Sequence, residues 1–129
     1  MVTDQRNRYN RNDPWPDLVV AMLSVNNFPL EKTFAIFEAL GSQGLFEPNN
    51  YLNSTPDEIA QRLVASGYDR GPTLTMMFGQ RLASLREICG DIAGAQRILA
   101  FGSRAEVAGL LKSVTGVGPA VLRKFFMLR

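Results

Sequence analysis

The sequence predicts an all-α protein, a compact bundle of about seven helices, and three observations indicate this class. No segment alternates apolar and polar residues for long enough to form a half-buried strand. Helix-start signals recur along the chain, and the loops between periodic segments are short. With 129 residues, 46% of them hydrophobic, the chain is long enough to enclose one core. We expect a single helical domain over residues 14–129, preceded by a flexible polar arm at 1–13.

The first two helices follow from proline positions and apolar spacing. A rigid proline-rich segment, 13–16, leads into a helix over 16–25. Pro29 opens a second helix, which continues to Leu40 because its apolar residues recur along one stripe. Residues 41–53 then form a loop.

The third predicted helix has signals at both ends. Thr55, followed by Pro56 and by Glu58 three residues on, is a capping box that starts a helix. Gly67 is suited to end that helix, because glycine adopts the left-handed backbone of a helix C-terminus.

Four further helices complete the prediction. A long helix runs over 72–89, and another covers roughly 91–100. Ser103 and Glu106 form a second capping box, which starts the sixth helix. The seventh helix begins at Pro119.

The last two helices are joined by a short glycine-rich hairpin, so residues 104–128 are typical of a helix-hairpin-helix motif. Two glycines let the backbone turn sharply and approach a partner closely. The amides at the start of the following helix point outward at the positive end of its dipole, which suits a phosphate. The predicted backbone-binding residues are Thr115, Gly116, Val117, Gly118, Pro119 and Ala120.

The charge distribution favours an anionic partner for this end of the chain. Residues 107–129 carry four basic side chains and no acidic one, although the formal net charge of the whole chain is only +2. A basic segment around a phosphate-binding hairpin is a small electrostatic footprint for nucleic acid. We expect Lys112, Arg123 and Lys124 to add phosphate contacts. The alternative is that these residues only complement a helix dipole.

The composition excludes several kinds of site. The chain has no histidine and one cysteine, Cys89, so zinc sites, Ser/His or Cys/His catalysis and internal disulfides are not expected. We predict no metal and no cofactor, and a buried thiol at Cys89. No apolar run is long enough for a membrane span or a secretory signal, so we expect a cytoplasmic protein, nucleoid-associated in a bacterium.

Three segments in order resemble the endonuclease III-like (HhH-GPD) superfamily of DNA glycosylases. They are an apolar helix ending in Leu23-Ser24-Val25-Asn26, a glycine-aromatic turn at Gly67-Tyr68, and the hairpin at 111–120. The similarity extends over about residues 14–128. It implies a helical barrel that binds double-stranded DNA, damaged or distorted, in base-excision repair. It also places Asn26 where the family inserts a wedge residue beside an extruded base; the alternative for Asn26 is a helix C-cap.

The departures from the family pattern concern catalysis. Lyase-competent members have a lysine where this chain has Ala120, and the family's catalytic aspartate and iron–sulfur loop lie beyond the position of Arg129. The resemblance therefore implies a DNA-binding protein without the usual catalytic residues. Two alternatives stay open: an active monofunctional glycosylase that uses Asp13, Asp17 or Asp69, and a protein-interaction or oligomerisation domain.

Several aromatic and apolar residues allow two interpretations, of which the core is favoured. Trp15 and Tyr68 either line a base-stacking pocket or pack in the core. The hairpin and last helix contribute further residues that we expect to pack inside. The predicted core residues of these regions and of the 41–53 loop are Leu45, Phe46, Val117, Phe125, Phe126 and Met127.

Overall fold

The computed structural model describes residues 12–129, and this part of the chain is helical without any strand. The all-α prediction is confirmed. The α-helices are α1 Trp15–Leu23, α2 Leu30–Ala35, α3 Phe37–Ser42, α4 Pro56–Ser66, α5 Pro72–Ala83, α6 Ile92–Phe101, α7 Arg104–Leu111 and α8 Pro119–Leu128. Two 3₁₀ helices, Pro48–Leu52 and Ser84–Asp91, join them. Most of the predicted polar arm lies in residues 1–11, outside the described part.

Helix α1 is the centre of the bundle. All nine of its residues are buried, which is typical of a helix that is apolar around its whole circumference. It packs against α2, α5 and α8. Its one charged residue, Asp17, lies in the first turn and accepts a hydrogen bond from Arg129 Nη1 at 3.0 Å. Because Arg129 follows α8, the start of α1 lies beside the end of α8.

The predicted helix ends are confirmed where their determinants are local. Thr55 and Glu58 form the first capping box, with each side chain accepting from the other residue's amide at 3.2 and 2.9 Å. Ser103 and Glu106 form the second, at 3.1 and 2.8 Å. Gly67 ends α4 with φ of 99°. These bonds satisfy amides that the first turn of a helix leaves without partners.

Two predicted helices are interrupted. The second breaks at Ile36, whose amide bonds to the Thr33 carbonyl, so α2 and α3 occupy the region predicted as one helix. The long helix predicted to reach Cys89 ends at Ala83 and continues as a 3₁₀ helix. At that point the Ser84 hydroxyl donates to the Arg81 carbonyl at 2.6 Å, a local bond that competes with the helical pattern.

The core contains most of the apolar residues predicted for it. Trp15, Tyr68 and Phe125 are fully buried. The rings of Trp15 and Tyr68 are therefore not exposed for base stacking, and the prediction that both pack in the core is confirmed. Met127 was predicted in the core and is 61% exposed, because it lies on the face of α8 opposite Phe125. Of the others, Leu45 and Cys89 are buried, whereas Phe46, Val117 and Phe126 are partly buried against the core.

Candidate nucleic-acid interface

The hairpin between α7 and α8 adopts a backbone that needs glycine at one position and permits it at the other. Gly116 has φ of 86°, in the left-handed region that side chains disfavour. Gly118 is extended, with φ of −109° and ψ of −169°, and a Cβ added there would meet no atom within 4 Å. The space in front of Gly118 is therefore open to a partner.

Some of the hairpin amides donate hydrogen bonds to described acceptors, and others do not. The Thr115 amide donates to Ser84 Oγ at 2.9 Å, and the Val117 amide donates to the Val114 carbonyl at 3.4 Å. Within residues 12–129, no acceptor is bonded to the amides of Gly116, Gly118 and Ala120, and no side chain caps α8. Unpaired amides at an exposed helix start form an anion-binding arrangement.

The predicted basic residues surround this hairpin. Lys112 is exposed at the end of α7, and Arg123 is exposed in α8, three residues after Ala120 and on the same face. Lys124 is half-buried. The core side of α8 is formed by Val121, Phe125 and Leu128. No carboxylate of the described chain lies within ion-pair distance of Lys112, Arg123 or Lys124.

Sequence reasoning missed one residue beside the hairpin, Arg81 in the last turn of α5. A Cβ built on Gly116 would lie 2.5 Å from Arg81 Cδ and 3.0 Å from Nε, so the arginine stem packs directly on the glycine. The guanidinium lies 5.2 Å from the centroid of the Phe78 ring. No pattern in the sequence indicates this contact, because the two positions are far apart in the chain and meet only through folding.

The predicted wedge residue, Asn26, lies in a turn that follows α1. Asn26 and Asn27 are exposed and both adopt left-handed backbone, with φ of 55° and 68°. The C-cap of α1 is Ser24, so the alternative prediction that Asn26 caps the helix is wrong. The turn lies near the hairpin, because an arginine that bonds to the turn and an arginine that packs on Gly116 both lie beside the Phe78 ring. The wedge role of Asn26 stays a prediction.

Arg70 holds this turn in place. Its guanidinium donates to the Val25 carbonyl at 3.0 Å, to the Asn26 carbonyl, and to the Tyr68 hydroxyl at 3.3 Å. Tyr68 in turn donates to the Leu23 carbonyl at 2.8 Å.

Three aromatic rings connect the turn to the hairpin. Phe28 packs edge-on against Tyr68 at 4.7 Å, and Tyr68 packs edge-on against Phe78 at 5.4 Å. Arg70 lies 5.2 to 5.8 Å from the centroids of all three rings. Since Arg81 also contacts Phe78, one aromatic cluster positions both arginines.

The three candidate carboxylates have separate local roles. Asp17 is buried and paired with Arg129, and exposed Asp69 accepts from the Gly71 amide at 3.1 Å. Asp13 accepts from the Trp15 amide at 3.1 Å, and burial raises the pKa of its carboxyl above the usual value. In residues 12–129 the metal-ligating side chains do not come together in groups of three.

Comparisons with family models, with curated proteins and with solved structures found no match to this chain. Among the described helices, none combines the length and the apolar character needed to cross a membrane.

Proposed function

We propose that this protein binds the DNA backbone without reading its sequence, through the hairpin between α7 and α8. The observation that carries the proposal is the set of three amides, at Gly116, Gly118 and Ala120, that have no acceptor among residues 12–129 and lie at an exposed helix start. Lys112 and Arg123 flank them and have no ion-pair partner among the described residues. Backbone amides and basic side chains together are the usual ligands of nucleic-acid phosphates.

The resemblance to HhH-GPD glycosylases supports the same site and refines the partner. In that superfamily the hairpin grips one strand of a duplex that is opened or bent around a damaged base. We propose a preference for distorted double-stranded DNA, with Asn26 at the distortion. We do not extend the proposal to base release, because Ala120 stands at the lysine position and Asp17 and Asp69 have structural partners.

The glycine positions supply a sharp test with a matched control. Gly118→Leu adds a side chain into open space, so the protein should fold, yet the side chain fills the position of a bound phosphate. Gly109 in α7 also has nothing within 4 Å of an added Cβ, so Gly109→Leu makes the same change away from the hairpin. Fluorescence anisotropy with a labelled duplex should show about a tenfold or larger loss for Gly118→Leu only. Equal affinities for the two folded variants would contradict the hairpin assignment.

Salt dependence and duplex type test the rest of the proposal. About two or three phosphate contacts predict a slope of roughly −2 to −3 in log affinity against log salt. Plain, mismatched and abasic-analogue duplexes should all bind, with the distorted ones tighter. Equal affinity for the three duplexes would remove the preference for distortion and leave backbone binding in place.

A further inference from the structure

We propose that Arg81 is a phosphate-binding residue of the same site, and that it binds the nucleic-acid backbone beside the hairpin amides. The inference rests on the proposed function and adds a ligand that lies outside the helix-hairpin-helix motif.

The position of Arg81 is fixed from two sides. Its aliphatic stem lies on Gly116, where the absence of a side chain leaves room for Cδ and Nε. Its guanidinium lies beside the Phe78 ring, 5.2 Å from the centroid. A guanidinium held in this way loses less conformational freedom when it binds an anion than a free surface arginine does.

The donors of Arg81 are available, in contrast to those of its neighbours. Arg70 directs its guanidinium to two carbonyls and a hydroxyl, and Arg86 lies 3.9 Å from the Glu87 carboxylate. Across residues 12–129, the Arg81 guanidinium has neither a hydrogen-bond acceptor nor an ion-pair partner. A planar guanidinium with free donors beside unpaired amides matches the bidentate geometry of a phosphate.

A helix-dipole role does not account for this placement. Arg81 lies in the last turn of α5, where a positive charge is favourable. That interaction requires the charge alone and is satisfied by any orientation of the side chain. It gives no reason for the stem to pack on the hairpin glycine.

The test measures the salt slope of DNA binding for three variants. Arg81→Met keeps the apolar stem and removes the charge, so the slope should become less steep by about 1, with about a tenfold weaker affinity at low salt. Arg81→Lys should keep the slope. Arg86→Gln removes one charge from the 3₁₀ helix that follows α5, and should bind like the natural protein.

The outcomes separate the two proposals. If the natural protein shows no salt-sensitive binding, the proposed function fails, and this inference fails with it. If the natural protein binds and Arg81→Met keeps the full slope, only the Arg81 assignment is overturned. If Arg81→Met loses its helical circular dichroism signal, the test uses the natural protein instead. Its NMR signal from the Arg81 side-chain Nε–H is then followed. That resonance should shift on DNA addition, and an unchanged resonance overturns the assignment.

Discussion

Two turns beside the same aromatic cluster are built in opposite ways. The Asn26-Asn27 turn is held by Arg70, which donates to the carbonyls of Val25 and Asn26. The Gly116–Gly118 hairpin is anchored by a side-chain acceptor, Ser84 Oγ on the Thr115 amide, and the amides of Gly116, Gly118 and Ala120 have no acceptor in the described part of the chain.

The difference separates a structural arginine from one available for binding. Both Arg70 and Arg81 contact the Phe78 ring, so their aromatic environments are similar. Arg70 completes the hydrogen bonding of its turn, whereas Arg81 packs on its hairpin without bonding to it. Removing Arg70 should therefore change stability, and removing Arg81 should change binding.

The largest expected effect is on stability at Arg70. Arg70→Met removes the side-chain donor to the Asn26 carbonyl and to the Tyr68 hydroxyl, and leaves the Val25 carbonyl with the Phe28 amide alone. This loss should cost on the order of 3 kcal/mol. Arg81→Met should cost less than about 1 kcal/mol, since it breaks no hydrogen bond. Urea unfolding measures the free energy of unfolding of both variants, provided that their m-values equal that of the natural protein. Similar losses for the two variants would mean that Arg81 is a structural residue as well.

The two hairpin glycines should differ in the free energy of unfolding that an alanine substitution costs, and this difference is smaller than the one between Arg70 and Arg81. Gly116→Ala must place a side chain in left-handed backbone and displace the Arg81 stem, at a cost of about 1–2 kcal/mol. Gly118→Ala introduces its methyl group into open space in extended backbone and should cost about 0.5 kcal/mol or less. Thermal unfolding of the pair provides the check, and a reversed order would contradict the hairpin geometry.

Alkaline pH should weaken the Arg70-held turn through Tyr68. Burial raises the pKa of the Tyr68 hydroxyl, so the folded state keeps it protonated. Its contribution to stability is complete below about pH 10 and is lost as the pH rises further, because the unfolded state then releases the proton.

Tyr68→Phe is the matched variant for this pH dependence. It should cost about 1 kcal/mol at pH 7, where the bond to the Leu23 carbonyl is lost, and it should lose less stability than the natural protein above pH 10. Parallel alkaline profiles would show that Tyr68 does not carry the effect. Tyr51, also buried with a raised pKa, is unchanged in both proteins.

The smallest expected effect is that of Asn27→Gly, in the turn that follows α1. Its left-handed backbone suits glycine better than asparagine, so Asn27→Gly should be neutral or stabilise by a few tenths of a kcal/mol. Asn27→Val should destabilise by about 1–2 kcal/mol, because a β-branched side chain is disfavoured there. Denaturant midpoints of both variants test whether the turn has this conformation in solution.

The features that the sequence predicted correctly have all their determinants close together. Both capping boxes lie within four residues, and the left-handed Gly67 directly follows its helix. The start of α8 was likewise predicted, because Gly118 and Pro119 mark it, whereas α7 ends at Leu111, earlier than the predicted four-residue hairpin requires. Local backbone preferences and short-range hydrogen bonds are sufficient for such features.

The features that the sequence did not predict depend on distant partners. Ser84 ends α5 while its hydroxyl also accepts from Thr115, 31 residues away. Arg70 stabilises a turn whose carbonyls lie 44 and 45 positions earlier, and nothing near Arg70 indicates which carbonyls it meets. Arg81 was missed for the same reason, because its contact with Gly116 exists only in the folded chain.

The complete burial of α1 has a consequence for how the chain folds. Nine residues are fewer than an isolated helix needs to be stable in water, so α1 depends on the helices that cover it. One of these is α8, and Asp17 pairs with a residue 112 positions later. During synthesis, α2 and α5 emerge first, and the apolar surface of α1 is covered completely only after α8 has left the ribosome. In that interval α1 is a target for chaperones and for aggregation.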